Sequence, residues 1–243
     1  MEHNQQLSEC FKIRASAAYQ IMGVKAFGKT GETYCKQWLK ERLFKRREEI
    51  KSRYLDKGNE SEEDAFTLLC LELNLGMVYK NVKYFENEYM CGTPDLIIGD
   101  TVYDNKCSWS LATFPMFESE IPNDDYEVQL QVYMELTKCD KAKLCYTLID
   151  APKEIVEREI RWCLTPDDAY KKTLNLVYTK EYFDLLKAEL FPLSELDCFV
   201  EIPQSDRIKC FDIIKDADKI KKLESRVSHA REYINELITK NHE

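Results

Sequence analysis

Cys91-Gly-Thr-Pro-Asp-Leu-Ile-Ile-Gly-Asp-Thr-Val-Tyr-Asp-Asn-Lys106 is the stretch around which the rest of the chain can be read. Two short runs rich in β-formers flank Gly99-Asp100, a dipeptide suited to a two-residue hairpin turn. That turn predicts Ile98 opposite Thr101, Ile97 opposite Val102, Leu96 opposite Tyr103, and therefore Asp95 opposite Asp104. Lys106 lies two residues beyond Asp104, on the same face of its strand. Facing carboxylates repel and weaken a strand pair, so a hairpin that carries them calls for a compensating cation. Two carboxylates and a lysine with no histidine nearby suit a hard divalent ion, Mg²⁺ first and Mn²⁺ as its substitute. An isolated Asp-x-Lys is usually only a solvated face; the register is what sets this one apart.

Elsewhere the composition excludes more than it selects. The three histidines, His3, His229 and His242, sit near the two ends of the 243-residue chain, which disfavours a Ser-His-Asp triad or a histidine-bound zinc. No pair of the seven glycines has phosphate-loop or dinucleotide spacing. The ten cysteines are scattered, no two within three residues, so neither a zinc site nor an iron–sulfur cluster is expected and most are read as reduced, buried thiols. No apolar run approaches a membrane span, and the expectation is a cytoplasmic protein without a membrane partner. A net charge of −9 argues against a surface coated for nucleic acid. Residues 29–57 nevertheless hold ten Lys/Arg against five Asp/Glu, including Lys45, Arg46 and Arg47. That segment is either a guide for a phosphate backbone or a solvated helix face.

Helical spacing predicts helices over 11–22, 32–56 (stopped by a hinge at Gly58), 59–73, 127–137 and 167–190, the last entered through Thr165-Pro166. Strands are predicted over 77–85, in the hairpin of 90–107, and over 143–150 and 155–163. The fold class is thus α/β, a small mixed sheet flanked by helices. Residues 1–203 are read as one domain and 204–243 as a helical C-terminal extension. In that extension Ile220, Leu223, Val227, Ala230, Ile234 and Leu237 recur at spacings of three and four. They form the seam of a coiled coil or of a helix packed on its own domain.

Four blocks together resemble the PD-(D/E)XK nuclease superfamily, in the branch of lambda exonuclease, YqaJ-like viral recombinases and RecB-type nuclease domains. Lys57-Gly-Asn-Glu-Ser-Glu-Glu-Asp-Ala65 is similar to the helix carrying an upstream acid, with Glu62 in the matching place and Glu60 and Glu63 as its competitors. Gly92-Thr-Pro-Asp95 and Asp104-Asn-Lys106 resemble the central hairpin, Gln129-Leu-Gln-Val-Tyr133 the QxxxY helix, and Arg14-Ala-Ser16 the segment that approaches a 5′ phosphate. The resemblance implies a restriction-endonuclease-like core and a Mg²⁺-dependent DNA exonuclease of phage-type recombination or DNA processing, 5′→3′ on linear duplex. Glu62, Asp95 and Asp104 would be metal ligands, with Lys106, Gln129 and Tyr133 completing the catalytic group. Arg14 and Ser16 would meet DNA, with Lys45, Arg46 and Arg47 as the basic guide. Two departures stand out: Asn105 where the family is often apolar, and no arginine near Glu9. An endonuclease of the same fold and a noncatalytic binding module remain alternatives. The C-terminal heptads leave room for a homo-oligomer or a single-strand-annealing recombinase partner.

Overall fold

The computed structural model describes residues 7–23, 27–48 and 53–240. A two-residue strand, β1 (Ile13–Arg14), and a 3-10 segment, Ala15–Ile21, stand in place of the α-helix expected over 11–22. Phe11, Ile13 and Ala15 are all buried, and this alternation is that of an extended entry rather than a helix face. Helix α1 (Gly28–Phe44) stops at Lys45, which adopts a left-handed conformation with φ 52°. The single long helix expected over 32–56 is therefore broken. Helix α2 (Arg53–Glu60) contains Gly58, so the expected hinge there is also corrected. The break falls instead at Ser61, before α3 (Glu62–Glu72), whose first turn carries Glu62, Glu63 and Asp64 at the positive end of the helix.

Of the strand expected over 77–85, only β2 (Phe85–Glu86) forms, followed by β3 (Met90–Gly92). The hairpin is β4 (Leu96–Ile98) and β5 (Thr101–Cys107), paired Leu96 to Tyr103, Ile97 to Val102 and Ile98 to Thr101, as the alternation requires. Gly99 turns it with φ 57°, a conformation that only glycine adopts cheaply. Helix α4 (Asp124–Thr137) is capped by Asn123, whose side chain accepts from the Asp125 N–H. It leads to β6 (Lys141–Thr147), parallel to β5.

Three helices follow: α5 (Lys153–Ile160), α6 (Pro166–Thr173) and α7 (Lys180–Leu190). The first replaces the strand expected over 155–163. Its β-branched residues suggest a strand, but Ile155 and Val156 bury one side of a helix that enters through Pro152. The helix expected over 167–190 is divided after Thr173, where Asp150 accepts from the Tyr178 and Thr179 N–H groups and draws the chain out of the helix. Thr165 caps α6 by accepting from the Asp168 N–H, with Pro166 in the first turn.

Residues 204–243, expected to be helical throughout, contain a strand. β7 (Ile208–Ile214) pairs antiparallel with β6, and α8 (Ala217–Lys240) follows. The sheet order is β4-β5-β6-β7, beside a smaller sheet ordered β1-β3-β2. Leu223, Val227, Ala230, Ile234 and Ile238 are buried in the same cluster as Ile13, Val102, Leu130 and Leu144, with Leu237 of the expected seam partly buried against them, and Ile220 is buried as well. The seam is thus occupied by the chain's own core. Each such Leu, Ile or Val side chain contributes about 1.5–3 kcal/mol on burial. Arg231 donates to the carbonyls of Phe11 and Glu88, fastening α8 to the smaller sheet.

The main sheet separates two environments. On one face Val102, Ala142 and Leu144 pack with Leu130 of α4; on the other, Tyr103 and Cys145 pack with Leu69 of α3 and Leu96 of β4. A third cluster, centred on Tyr170, Phe183 and Phe191, joins α5, α6 and α7.

Candidate active site

Strand alternation turns Asp104 and Lys106 to the α4 side of β5 and Asn105 to the opposite side. There Asn105 accepts a hydrogen bond from Thr147 Oγ1 at 3.3 Å, so this family departure faces a polar neighbour away from the site. Asp104 is only 2% exposed. Its Oδ1 accepts from Gln129 Nε2 at 3.0 Å, and its Oδ2 lies 2.7 Å from the Lys106 ammonium without any aligned hydrogen-bond donor. Gln129 Oε1 accepts from Lys106 Nζ at 3.2 Å, and its Nε2 also donates to the Tyr133 hydroxyl at 3.1 Å. Gln129 and Tyr133 are one helical turn apart, and the single amide therefore braces acid, lysine and phenol together. Gln131 faces elsewhere: it donates to the Ile214 carbonyl and accepts from the Asp216 N–H, holding the end of β7.

Asp95 sits one residue beyond the β4–β5 ladder, next to Asp104. Its Oδ2 accepts the Asn105 N–H at 2.9 Å. Burial and then the facing Asp104 carboxylate push Asp95 up to about 6, against the opposing pull of that N–H, Lys106 and Lys80. Burial works against the charge of Lys106, but its close pairing with Asp104 outweighs it and raises the ammonium above its ordinary range. Burial, followed by Asp104, also raises the Tyr133 phenol. The group is a proton-holding lysine and phenol around two carboxylates that oppose each other.

Glu62 comes from the first turn of α3 and is 56% exposed. It pairs with Lys80, whose Nζ lies 4.0 Å from Asp95 Oδ1, so one ammonium bridges the two acids. The competitors Glu60 and Glu63 are exposed as well. Sequence reasoning missed Lys80. Its segment, expected to be a strand, is irregular in the structure and is held by Asn81, which donates through its backbone to the Asp95 carbonyl at 2.7 Å and through its side chain to the Pro94 carbonyl. Tyr126 is a second omission; Lys106 Nζ stands 4.7 Å from its ring centroid.

Arg14 and Ser16 are exposed on the flank of this group. Arg14 pairs in register with Cys91, and a Cβ on the next residue, Gly92, would stand 3.0 Å from the Ala15 Cβ and 2.8 Å from Tyr133 Cε1. Gly92 therefore lets the Arg14-Ala-Ser16 segment and the Tyr133 ring meet across β3. Lys45, Arg46 and Arg47 are exposed just past the end of α1.

Among the described residues no three His, Cys, Asp or Glu side chains form a ready metal cage. Asp95 and Asp104 nevertheless suit a hard cation that keeps much of its water shell. Burial and the facing Asp104 keep Asp95 raised even with Lys106 beside Asp104 Oδ2 and Lys80 between Asp95 and Glu62, so a further cation at the pair would be favoured.

A phage-related exonuclease from Haemophilus somnus 129PT shares this architecture, with a TM-score of 0.73 and 26% identity over 97% of this chain and 98% of that one. This likeness agrees with the resemblance to the lambda-exonuclease branch of the PD-(D/E)XK nucleases that the sequence motifs carry. The alkaline exonuclease LHK-Exo of Laribacter hongkongensis has the same fold, with a TM-score of 0.63 and 15% identity over 100% of this chain and 96% of that one. Its complex with dAMP gives 0.61 and 16% over 99% and 95%. No protein-family model matches the sequence, and neither does any curated protein. Likeness thus resides in the three-dimensional arrangement far more than in the residues.

Proposed function

We propose that this protein is a divalent-metal-dependent exodeoxyribonuclease that degrades linear duplex DNA from the 5′ end, in phage-type recombination or DNA processing. The observation that carries the reading is the opposition of Asp95 and Asp104 beside Lys106, with Gln129 bonded to both Asp104 and Lys106. The exonuclease names of the Haemophilus and Laribacter relatives support it.

Asp95 and Asp104 would hold Mg²⁺ or Mn²⁺, with Glu62 reaching it directly or through water once released from Lys80. A bound ion of this kind supplies Lewis-acid stabilisation of phosphoryl charge and a more acidic water. Lys106, held as an ammonium, would neutralise charge on the phosphate and orient the attacking water; its raised pKa makes it a poor base. Gln129 would keep Lys106 and Asp104 in register, and Tyr133 would present its protonated hydroxyl to the substrate backbone. Arg14 and Ser16, on the flank, would receive the strand end, and Lys45, Arg46 and Arg47 would draw the duplex in.

Linear duplex labelled at either end and covalently closed circular duplex, each with Mg²⁺ or EDTA, test this beside Asp104→Asn and Lys106→Met. The expected result is metal-dependent shortening of linear DNA alone, with the 5′ label released first and both variants inactive. Nicking of the circle would establish an endonuclease instead, and binding without any cleavage a noncatalytic module.

A further inference from the structure

The face of the sheet turned away from the candidate active site carries a pair of thiols that the proposed chemistry does not use. Cys145 in β6 and Cys210 in β7 are directly opposed in an antiparallel ladder, and their sulfurs lie 2.8 Å apart. Residues facing each other across such a ladder have Cα atoms about 4.5–5.5 Å apart, inside the roughly 4.4–6.8 Å span of disulfides. A bond would therefore need no rearrangement of either strand. Cys145 is fully buried beside Leu69, Leu96 and Tyr103, whereas Cys210 is partly exposed. Lys143 and Asp212 form the adjacent cross-strand ion pair on the same face.

We propose that Cys145 and Cys210 form an oxidation site, a cross-strand dithiol that exchanges with low-molecular-weight disulfides to close a reversible intrachain bond between β6 and β7. The partly exposed Cys210 is the entering group. Its thiolate attacks one sulfur of the small disulfide, forms a mixed disulfide and expels one thiolate. Cys145 then gives up its proton and attacks the Cys210 sulfur, expelling the second. The two protein thiols lose two electrons, the small disulfide gains them, and the two protons end on its two released thiols. The shared hydrogen bond favours this order, lowering the Cys210 thiol and raising the buried Cys145 thiol; Lys143 also favours the Cys210 thiolate. Closure ties β7, and the core helix α8 behind it, to the strand that pairs with β5. It leaves the Asp104–Lys106 face untouched, and it needs no assumption about the activity of the protein.

The test uses the full-length protein, equilibrated with oxidised glutathione or with dithiothreitol, and is read by thiol titration after denaturation and by mass spectrometry of the digest. The expected outcome is one linked peptide pair containing Cys145 and Cys210, with any further thiol loss found as glutathione adducts on the exposed Cys10 and Cys198, reversal by dithiothreitol, and a melting temperature raised by roughly 5–10 °C. Cys145→Ser should stop at a glutathione adduct on Cys210, and Cys210→Ser should give no linked pair. Retention of all ten thiols by the native wild-type protein, or a linked pair joining other cysteines, would overturn the proposal whether or not either variant folds.

Discussion

Replacement of Asp95 by Asn should stabilise the metal-free protein, although Asp95 is a candidate ligand. The carboxyl is raised from 3.8 to about 6, chiefly by burial and then by Asp104. That is about two units, and each unit corresponds to ~1.36 kcal/mol, so ionising Asp95 in the folded chain costs up to about 3 kcal/mol more than in the unfolded chain. Because the folded value is the raised one, its stabilising contribution is complete below about pH 4 and is lost as pH rises through 6. Asparagine cannot ionise, and its side-chain oxygen can still accept the Asn105 N–H that Asp95 accepts now.

Urea denaturation of wild type and Asp95→Asn in EDTA, from pH 4 to pH 8, measures the effect, since titrations of groups not coupled to Asp95 cancel in the difference. The two proteins should be nearly equal at pH 4 and diverge to a gain of up to about 3 kcal/mol for the variant by pH 8. Mg²⁺ should close most of that gap: ligand at a hundred times its Kd adds about 2.7 kcal/mol to the protein that binds it, and little to one that has lost the carboxylate. A difference that stays flat with pH, or a variant less stable than wild type at pH 8 in EDTA, would refute the electrostatic account of the hairpin.

The remaining expectations concern packing and bracing. Gly92→Ala drives a methyl into the Tyr133 ring and the Ala15 Cβ and should cost about 1–3 kcal/mol in urea melts, whereas Gly58→Ala meets open space within α2 and should be neutral or stabilising by up to ~1 kcal/mol. Gln129→Ala removes the partner shared by Asp104, Lys106 and Tyr133; DNA cleavage should fall by about 10–100-fold, roughly 1.4–2.7 kcal/mol of barrier, and an unchanged rate would remove Gln129 from the site. Ile234→Asp places a charge at a fully buried position of α8 and should cost more than about 4 kcal/mol, so circular dichroism should show an unfolded chain; a folded protein altered only in oligomeric state would restore the coiled-coil reading.

What was legible in the sequence was local and strongly constrained. A two-residue turn leaves a hairpin one register, so Gly99-Asp100 was enough to bring Asp95 beside Asp104, and α4 placed Gln129 and Tyr133 on one face because they are four residues apart. Errors arose where tertiary contacts override periodicity. Val156 and its β-branched neighbour read as strand until packing with Tyr170 and Phe183 selects a helix. In β7, Phe211 and Ile213 alternate with exposed Asp212 and Ile214, a visible strand signal that the long helix after it obscured. Lys80 could not have been found from sequence. It lies in a segment without secondary structure, and only the bonds of Asn81 to the hairpin bring it to Glu62 and Asp95.

Lys80 also completes the electrostatic logic of the site. Glu62, Asp95 and Asp104 present three carboxylates to the two ammoniums of Lys80 and Lys106, and the protein as a whole carries −9. When all five groups are ionised, a phosphate approaching the hairpin meets one net negative charge at a surface shielded from water on its α4 side. On the proposed function, substrate affinity there would depend on added positive charge between the carboxylates, whereas the exposed Lys45, Arg46 and Arg47 would attract DNA without it. Guidance by the surface and engagement by the site are consequently separable: salt should weaken the first, and loss of Asp95 or Asp104 the second, which is the division expected of a phosphodiesterase built on an acidic body.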